Sequence, residues 1–275
     1  MKLKTIKIKS KELLMQYITS NNELKLNYCV EENAGDSFNR AFVEDFFKKS
    51  VAKYTIGSSE HYLFCGSILS RANKSSIVIG AGLISESIKF RPFKKLVGCR
   101  GLLTLKRIHE IDQSADPVFL GDPGLLVKEV FCINTDIREQ NQKKDKIGII
   151  PHFVDYDRAK ELLGNDERFM IINIKDDYKA VCENIISCRS ILSSSLHGLI
   201  FSDGLSVKNN WIKFSDNIVG GDFKFRDYYS VMDRKKQSPI VCKTINDIEN
   251  AERNAFVSIN PNYNKMLETI IEYFE

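Results

Sequence analysis

The sequence predicts an α/β fold built from two doubly wound domains that face each other. Short apolar runs rich in β-branched residues alternate with amphipathic helical patterns along most of the 275-residue chain. A strongly polar segment without apolar periodicity, residues 134–146, divides this series and is the best linker candidate. Strand–turn–helix units on both sides of a polar joint are typical of two mainly parallel sheets covered by helices.

These observations also suggest domain boundaries. We expect an N-terminal domain over residues 1–140 and a C-terminal domain over residues 141–255. Residues 256–275 form an amphipathic pattern, which predicts a terminal helix that packs back on the N-terminal domain. The chain is long enough to bury a core in each domain.

The first half contains several buried strand candidates, each ending in a turn. In order, the predicted strands are residues 24–30, 54–57, 61–69, 75–83 and 95–101. A helix containing Phe38, Ala41, Phe42 and Phe46 at helical spacing follows a turn at 33–37. A second helix follows the last of these strands, and a Gly-Asp-Pro-Gly turn within 117–127 closes this half.

The second half repeats the pattern. The predicted strands are residues 147–155, 168–174, 189–195 and 207–215. The predicted helices are residues 156–163, 177–188, 197–205 and the terminal 260–275. Ligands of such sheets bind outside the carboxyl ends of the strands, so the Gly- and Ser-rich strand ends are the candidate site.

Composition excludes several function classes. The 40 basic and 36 acidic residues leave a formal net charge of only +4, without a basic stripe, so nucleic acid is not an expected partner. The 7 cysteines form no CxxC pair, which is typical of reduced thiols in the cytoplasm. The charged first residues do not resemble a signal peptide, and no apolar run is long enough to span a bilayer. We therefore expect a soluble, cytoplasmic protein.

Glycines and small polar residues mark the first-half strand ends. Gly35 and Asp36 lie before a helix whose free N–H groups would attract phosphate or carboxylate, although Asp36 or Ser37 acting as a helix cap is the simpler interpretation. Gly66 with Ser67, and Gly82, occupy positions where a backbone approaches a neighbour or a ligand closely. Tight turns explain these glycines equally well.

Arg100 and His197 are the main candidates for binding and catalysis. Arg100 ends a buried strand, so its guanidinium needs an anion, which is either a ligand or the carboxylate of a structural salt bridge. His197 starts a helix, where the positive field disfavours its protonated form unless an anionic ligand offsets it. From this residue alone, a capping or packed histidine is the simpler interpretation. Ser194 and Ser195 add hydroxyls and amides to the same corner.

Other histidines and motifs carry less information. His152 occupies the matching strand end of the second half, whereas His61 and His109 lie beside charged residues and are expected at the surface. No zinc-ligand spacing, DxD, Walker loop, GxGxxG or GxSxG occurs, so neither a metal nor a nucleotide cofactor is expected.

Seven short motifs in order change the interpretation. They are NAGD (33–36), GSIL (66–69), IGAG (79–82), CRG (99–101), GDPGLL (121–126), PH (151–152) and SSLHG (194–198). As an ordered set they resemble the polysaccharide pyruvyltransferases. The segment VGGDFKFRDYY (219–229) also resembles the loop that follows in the subgroup acting on exopolysaccharides.

The resemblance implies a GT-B-like fold, with the active site in the cleft between two Rossmann-like domains. It also implies transfer of pyruvate as a ketal from phosphoenolpyruvate onto two hydroxyls of a sugar, with release of phosphate. The acceptor would belong to a surface polysaccharide or to its lipid- or nucleotide-linked precursor, which implies peripheral contact with the inner membrane. Phosphoenolpyruvate is a substrate here, and no cofactor is implied. The oligomeric state is left open.

The resemblance assigns roles to three residues. His197 matches the active-site histidine of the family and Arg100 its substrate-binding arginine. The family lysine corresponds to Lys224, with Lys213 as the rival position.

The chain also departs from the family at two positions. Ser195 stands where many members have arginine, so Arg226 is the candidate to compensate. Gly101 stands where several members have aspartate.

Two alternatives remain at this point. A GT-B-type nucleotide-sugar glycosyltransferase would share the two-domain cleft, with the SSSLHG corner holding phosphates. A relative that binds sugars without catalysis would be consistent with Ser195 replacing a family arginine.

Overall fold

The computed structural model describes residues 23–29, 33–54, 57–134, 145–235 and 238–274. The charged N-terminal segment and most of the predicted linker lie outside the described residues. The proposed boundary between residues 140 and 141 lies there too.

The first half of the chain forms a six-stranded parallel sheet. Its strands are β1 (Leu24–Leu26), β2 (Val51–Lys53), β3 (His61–Leu63), β4 (Ser76–Ile79), β5 (Lys95–Cys99) and β6 (Phe119–Leu120). They are arranged in the order β2-β1-β3-β4-β5-β6. The buried central strand β4 reads Ser-Ile-Val-Ile, the near-continuous apolar pattern of a strand covered on both faces.

The second half forms a five-stranded parallel sheet. Its strands are β7 (Ile147–Ile150), β8 (Phe169–Ile171), β9 (Ser190–Ser193), β10 (Asn209–Lys213) and β11 (Ile240–Val241). Their order is β11-β10-β9-β7-β8. The prediction of an α/β fold with two parallel sheets is therefore confirmed. Most strands are shorter than predicted, because the Gly- and Ser-rich ends leave the sheets as loops. The strand expected at 54–57 is wrong, since β2 lies ahead of it, and the predicted strands do not include β6 or β11.

Nine helices within the described residues cover these sheets. They are α1 (Ala34–Ala41), α2 (Leu102–His109), α3 (Val127–Asn134), α4 (Tyr156–Leu163), α5 (Tyr178–Ser187), α6 (Leu196–Gly204), α7 (Phe223–Tyr229), α8 (Ile245–Arg253) and α9 (Tyr263–Phe274). None of them is long and apolar enough to cross a membrane.

Three of these helices differ from the expectation. Helix α7 occupies the segment expected to be a loop, and α3 and α8 were not predicted. Helix α8 has a local signal, because Thr244 and Asp247 form a capping box ahead of the buried Ile248. Helix α3 continues a 3-10 turn, Pro123–Leu126, whose first residue is proline and whose cap is Asp122.

The two halves share one apolar core. The Phe38 ring of α1 packs edge-on against Tyr178 of α5 and Phe201 of α6, with ring centroids 5.7 and 5.5 Å apart. At the start of α1, the Ala34 N–H donates to the Ile174 carbonyl at 2.8 Å. The core therefore continues from one sheet to the other and holds the facing strand ends at a fixed separation.

Helix α9 packs on the first half. The Phe274 ring lies edge-on to the Phe47, Tyr62 and Phe64 rings. At the other end of the helix, the Tyr263 hydroxyl donates to Glu129 at 2.8 Å. The last helix of the chain thus covers apolar surface of the six-stranded sheet in the first half.

His61 is buried, contrary to the expectation of a surface histidine. Its ring stacks on Tyr54 with centroids 3.6 Å apart. Its Nδ1 lies 3.0 Å from the Ser59 carbonyl oxygen and its Nε2 lies 2.7 Å from Ser76 Oγ. Adjacent charged residues in the sequence did not reveal this, because neighbours along a strand point to opposite faces.

Candidate active site

A cavity of about 180 Å³ lies between the two halves, at the carboxyl ends of the strands. This is where parallel α/β sheets present ligand sites. Its lining residues from the first half are Cys29, Asn33, Asp36, Ser67, Ile68 and Ile84. Those from the second half are His152, Phe153, Ile174, Ser195, Leu196, His197 and Lys224.

The residues predicted from the sequence divide into two groups. Asp36, Ser67, His152, Ser195, His197 and Lys224 line the cavity. Gly35, Gly66, Gly82, Arg100 and Ser194 lie outside its lining, as a second layer that supports the first. The geometry of this second layer explains why several motif positions hold glycine.

His197 lies in the first turn of α6, with its ring against the backbone of Gly35. A Cβ atom added at Gly35 would lie 2.0 Å from Nδ1 of His197, so any side chain there displaces the imidazole. Gly35 is a helical residue and not part of a turn as expected, and the cap of α1 is Asn33 instead of Asp36 or Ser37. Gly35 is therefore needed for close approach to His197. Gly66, beside the Cε1 of the same ring, has a φ of 102°.

The two ring nitrogens of His197 have different surroundings. Nε2 lies 3.4 Å from Sγ of Cys65, and that thiol donates to Oδ1 of Asp122 at 3.2 Å. No hydrogen bond to Nδ1 occurs among the described residues. Nδ1 is therefore the ring nitrogen that keeps its hydrogen-bonding capacity.

The surroundings of His197 favour a neutral imidazole in the empty cavity. Burial lowers its pKa, Asp122 opposes that effect, and the charges of Arg100 and Lys224 lower the pKa further. Burial and the Asp122 carboxylate hold the pKa of the Cys65 thiol well above its usual value, so Cys65 carries its proton. An anionic ligand would favour the protonated His197.

Arg100 is fully buried and bonded within the protein. Its Nε donates to Oδ2 of Asp227 at 2.9 Å and its Nη1 donates to Ser67 Oγ at 2.6 Å. Its Nη2 donates to the Leu83 carbonyl at 2.5 Å. The Cα of Gly82 lies against this guanidinium, where a Cβ would be 2.5 Å from Cζ. The structure thus gives Arg100 a structural salt bridge, and Ser67 is the side chain through which it meets the cavity.

Asp227 is a residue that the sequence interpretation missed. Helix α2 starts after Gly101, which has no side chain to cap it. Asp227 of α7 supplies the cap, accepting from the N–H of Thr104 at 2.8 Å and from its hydroxyl at 2.6 Å. A Cβ at Gly101 would lie 1.9 Å from the Asp227 carbonyl oxygen. The family resemblance suggests a carboxylate at position 101; this chain has glycine there, and Asp227 from the other half places a carboxylate beside Arg100.

Lys224 on α7 is the cation that borders the cavity. It is only 8% exposed, and no hydrogen bond or ion pair to its ammonium occurs among the described residues. Burial, and then the charge of Arg100, lowers its pKa to about 8. The rival Lys213 is paired with Asp216 at 2.6 Å and lies 3.6 Å from Asp222, away from the cavity lining.

His152 and the serines complete the second-half wall. Burial, and then the charge of Lys224, lowers the pKa of His152 to about 4, so its imidazole is neutral near pH 7. Ser194 accepts from the His152 backbone N–H at 2.8 Å and so braces the end of β7. Ser195 is the N-cap residue of α6 but makes no side-chain capping bond. Helix α6 consequently presents its first N–H groups without a side-chain cap.

The expected compensation for Ser195 is not observed. Arg226 is exposed and does not belong to the cavity lining. On α7 Arg226 follows Lys224 by two positions, which is about 200° around the helix, so the two side chains point to nearly opposite sides. Lys224 is then the single lysine or arginine in the lining formed by the described residues.

One group of side chains in the described part of the chain could hold a metal ion. Ligand atoms of Cys65, Asp122 and His197 lie within 4.8 Å of one another, and a thiolate, an imidazole and a carboxylate suit zinc. The three residues are far apart in the sequence and have no ligand spacing, so sequence inspection could not find the group.

Comparison with known proteins identifies the class to which this α/β architecture and its cavity belong. Residues 17–215 match the family described as Polysaccharide pyruvyl transferase. The match covers well over half of the chain, and the chain belongs to this family. The resemblance seen in the ordered motifs is thereby confirmed, and pyruvyl transfer onto polysaccharide is the activity of the family.

The chain is also similar to two individual proteins. The chain is 34% identical over 225 residues to uncharacterized protein L143 of Acanthamoeba polyphaga mimivirus, covering 79% of this chain and 77% of that protein. A crystal structure of a functionally uncharacterized protein from Klebsiella pneumoniae is 15% identical, with a TM-score of 0.42. That alignment covers 81% of this chain and 92% of the other.

Proposed function

We propose that this protein transfers pyruvate from phosphoenolpyruvate onto a sugar as a ketal and releases phosphate. The observation that carries the proposal is the buried Lys224, which borders the same small cavity as His197 and has no anionic partner among the described residues. A buried cation that contacts an aromatic ring, here that of Phe225 at 5.5 Å, but no anion is costly unless a ligand supplies the opposite charge. Phosphoenolpyruvate carries a carboxylate and a phosphate and meets that requirement.

Three features of the cavity would hold such an anion. Lys224 supplies a charge at the wall, and the uncapped first turn of α6 supplies N–H groups in a favourable dipole. Arg100 is the third feature. It lies on the far side of Ser67 from the cavity, and its Nη1 donates to the Ser67 hydroxyl. In this proposal Arg100 acts indirectly, by orienting the Ser67 hydroxyl and by holding α7 in place through Asp227.

The proton chemistry uses His197. The carboxylate and the phosphate of the bound phosphoenolpyruvate raise the pKa of His197. The imidazolium then gives a proton from Nδ1 to C3 of phosphoenolpyruvate. C2 becomes oxocarbenium-like and forms a bond to a sugar oxygen, whose proton returns to the imidazole. Phosphate leaves C2 with the bonding electrons, the second sugar hydroxyl adds at C2, and its proton leaves with the phosphate. The sum is phosphoenolpyruvate plus a diol giving a ketal and phosphate, and no cofactor takes part.

The acceptor would approach through a neighbouring groove. A groove of about 440 Å³ shares Cys29 and Asn33 with the cavity, and its wall includes Tyr28, Asp45 and Asp177. Carboxylates and an aromatic ring suit the hydroxyls and the apolar face of a sugar. In this proposal the halves act as the two Rossmann-like domains of a GT-B-like enzyme, and a cytoplasmic precursor sugar, lipid- or nucleotide-linked, is the acceptor. A lipid-linked acceptor would require peripheral contact with the inner membrane.

The test is a product assay with competing donors. The purified protein is incubated with phosphoenolpyruvate and a panel of sugars with neighbouring free hydroxyls. Free phosphate and the acceptor mass are then followed together. Phosphate release matched by a pyruvyl ketal on the acceptor supports the proposal. Release of UDP from a sugar nucleotide, without phosphate from phosphoenolpyruvate, would instead establish a glycosyltransferase. Phosphoenolpyruvate binding without turnover of any acceptor would favour the non-catalytic relative.

A further inference from the structure

Resting on the proposed function, we propose that Cys65 is a positioning residue for His197. In this arrangement the Cys65 thiol bridges Asp122 and Nε2 of His197, so that one tautomer of the imidazole is held. Neither the family description nor the sequence motifs assign a role to this cysteine. The three side chains come from the loop after β3, the turn after β6 and the start of α6.

The direction of the hydrogen bonds determines the tautomer. Oδ1 of Asp122 already accepts from the Gly124 N–H at 3.0 Å and accepts the Cys65 thiol proton at 3.2 Å. With its proton committed to Asp122, the sulfur can only accept, so the hydrogen at the 3.4 Å contact belongs to Nε2 of His197. Nδ1 is then unprotonated at rest and can take up the catalytic proton from the cavity side.

The backbone around Cys65 is fixed by a buried asparagine. The Cys65 N–H donates to Oδ1 of Asn39 at 2.8 Å, and Nδ2 of Asn39 donates to the Cys65 carbonyl at 3.3 Å. The same Nδ2 donates to the Gly35 carbonyl at 3.1 Å. Asn39 therefore ties together two of the residues that contact the His197 ring, Gly35 on its face and Cys65 at its edge.

The burial of Asp122 explains why the thiol proton stays on this carboxylate. Asp122 is fully buried, its Oδ2 has no hydrogen-bond partner, and no cation pairs with it among the described residues. Within this part of the chain its Oδ1 accepts from the Gly124 N–H and from the Cys65 thiol. The thiol is therefore the group that links Asp122 to the His197 ring.

The experiment combines kinetics with the tautomer of His197. Cys65→Ala, Cys65→Ser and Asp122→Asn are compared with wild type, and Cys182→Ala, which removes a buried thiol from α5, is the matched control. The chain has only 4 histidines, so nitrogen-15 NMR of labelled histidine separates their tautomers, with His197 assigned by loss of its signals in His197→Gln.

We expect the wild type to show His197 with its proton on Nε2. In Cys65→Ala the signals should change to a tautomer mixture, kcat should fall about 10- to 100-fold, as for loss of a group that orients a catalytic base, and KM for phosphoenolpyruvate should change little. Cys65→Ser should restore most of kcat and the single tautomer, and Cys182→Ala should match wild type.

Two results would overturn the inference. One is an unchanged His197 spectrum in both Cys65→Ala and Asp122→Asn. The other is one equivalent of zinc in the purified wild type that is lost in Cys65→Ala, since a metal-bound Nε2 carries no proton. The NMR comparison needs no turnover. It therefore tests the hydrogen bond between Cys65 and His197 even if the wild type releases no phosphate from phosphoenolpyruvate.

Discussion

Two histidine environments in this molecule can be compared directly. His61 in β3 is fully buried, stacked on Tyr54, and both of its ring nitrogens have partners within the protein. His197 at the start of α6 lines a cavity and has a protein partner at Nε2 alone among the described residues. The difference distinguishes a structural histidine from a catalytic or ligand-binding one. A structural histidine has hydrogen-bond partners within the protein at both ring nitrogens, whereas the other kind leaves one ring nitrogen for a ligand.

The largest expected effect is at His197. His197→Gln should lower the rate of phosphate release from phosphoenolpyruvate by about 1000-fold, because the general acid and base are lost together. The fold should persist, since the glutamine side chain can occupy the same space. Phosphate release is measured with circular dichroism as the control for folding, and turnover at the wild-type rate would end the acid–base assignment.

Gly35→Ala is expected to have the next largest effect. The new Cβ would overlap the His197 ring, so the imidazole must rotate away from the cavity and from Cys65. A misplacement of about 1 Å costs on the order of 100-fold in rate. Gly164→Ala is a control in open space, at a residue with φ of 55°, and should affect stability alone. Full activity of Gly35→Ala would show that the ring position is not critical.

Substitutions of Lys224 and Lys213 form a matched pair of variants that tests which lysine binds the donor. Lys224→Met should weaken phosphoenolpyruvate binding by about 10- to 100-fold, the range for loss of a charged hydrogen bond. The same change should raise Tm, since the unpaired ammonium costs stability at neutral pH. Lys213→Met, which breaks a partly exposed pair with Asp216, should leave binding unchanged. Calorimetric titration and thermal unfolding measure both effects. Weakened binding in Lys213→Met instead would exchange the two assignments.

The pKa of Lys224 gives a pH dependence. Because this pKa is about 8 in the empty cavity, the ammonium is present below pH 8 and lost above it. Phosphoenolpyruvate affinity should therefore fall as the pH rises from 8 toward 10. Stability of the empty protein should rise over the same interval, since the folded pKa lies below the unfolded one and the unfolded chain binds more protons. Lys224→Arg should remove the decrease in affinity, and a flat affinity profile in the wild type would contradict the assignment.

His61 should show the smallest effect on catalysis. His61→Ala removes the His61 partner of the buried Ser76 hydroxyl, which keeps only the hydrogen bond from the Asn73 N–H, and it removes the ring stacked on Tyr54. We expect a loss of about 2–3 kcal/mol in the free energy of unfolding. The rate of phosphate release per folded molecule should remain that of the wild type. Denaturant unfolding and active-site titration distinguish the two, and a catalytic defect at full folding would remove the contrast with His197.

The sequence alone determined the architecture and the family. Alternating apolar runs and amphipathic helices indicated two parallel sheets, because hydrophobic periodicity is a local property of the chain. The ordered motifs indicated the family, and Asp36, Ser67, His152, Ser195, His197 and Lys224, picked out from strand ends and from the resemblance, do meet in one cavity.

Tertiary structure decided the partners of these residues. Arg100 and Asp227 are 127 positions apart, and Cys65 and His197 are 132 apart, so no local pattern joins them. The glycine at position 35 could be interpreted from sequence as a turn, whereas packing shows that it makes room for an imidazole from the other half. Which groups meet across the cavity depends on how the shared core fixes the two sheets, and that is a property of the folded chain as a whole.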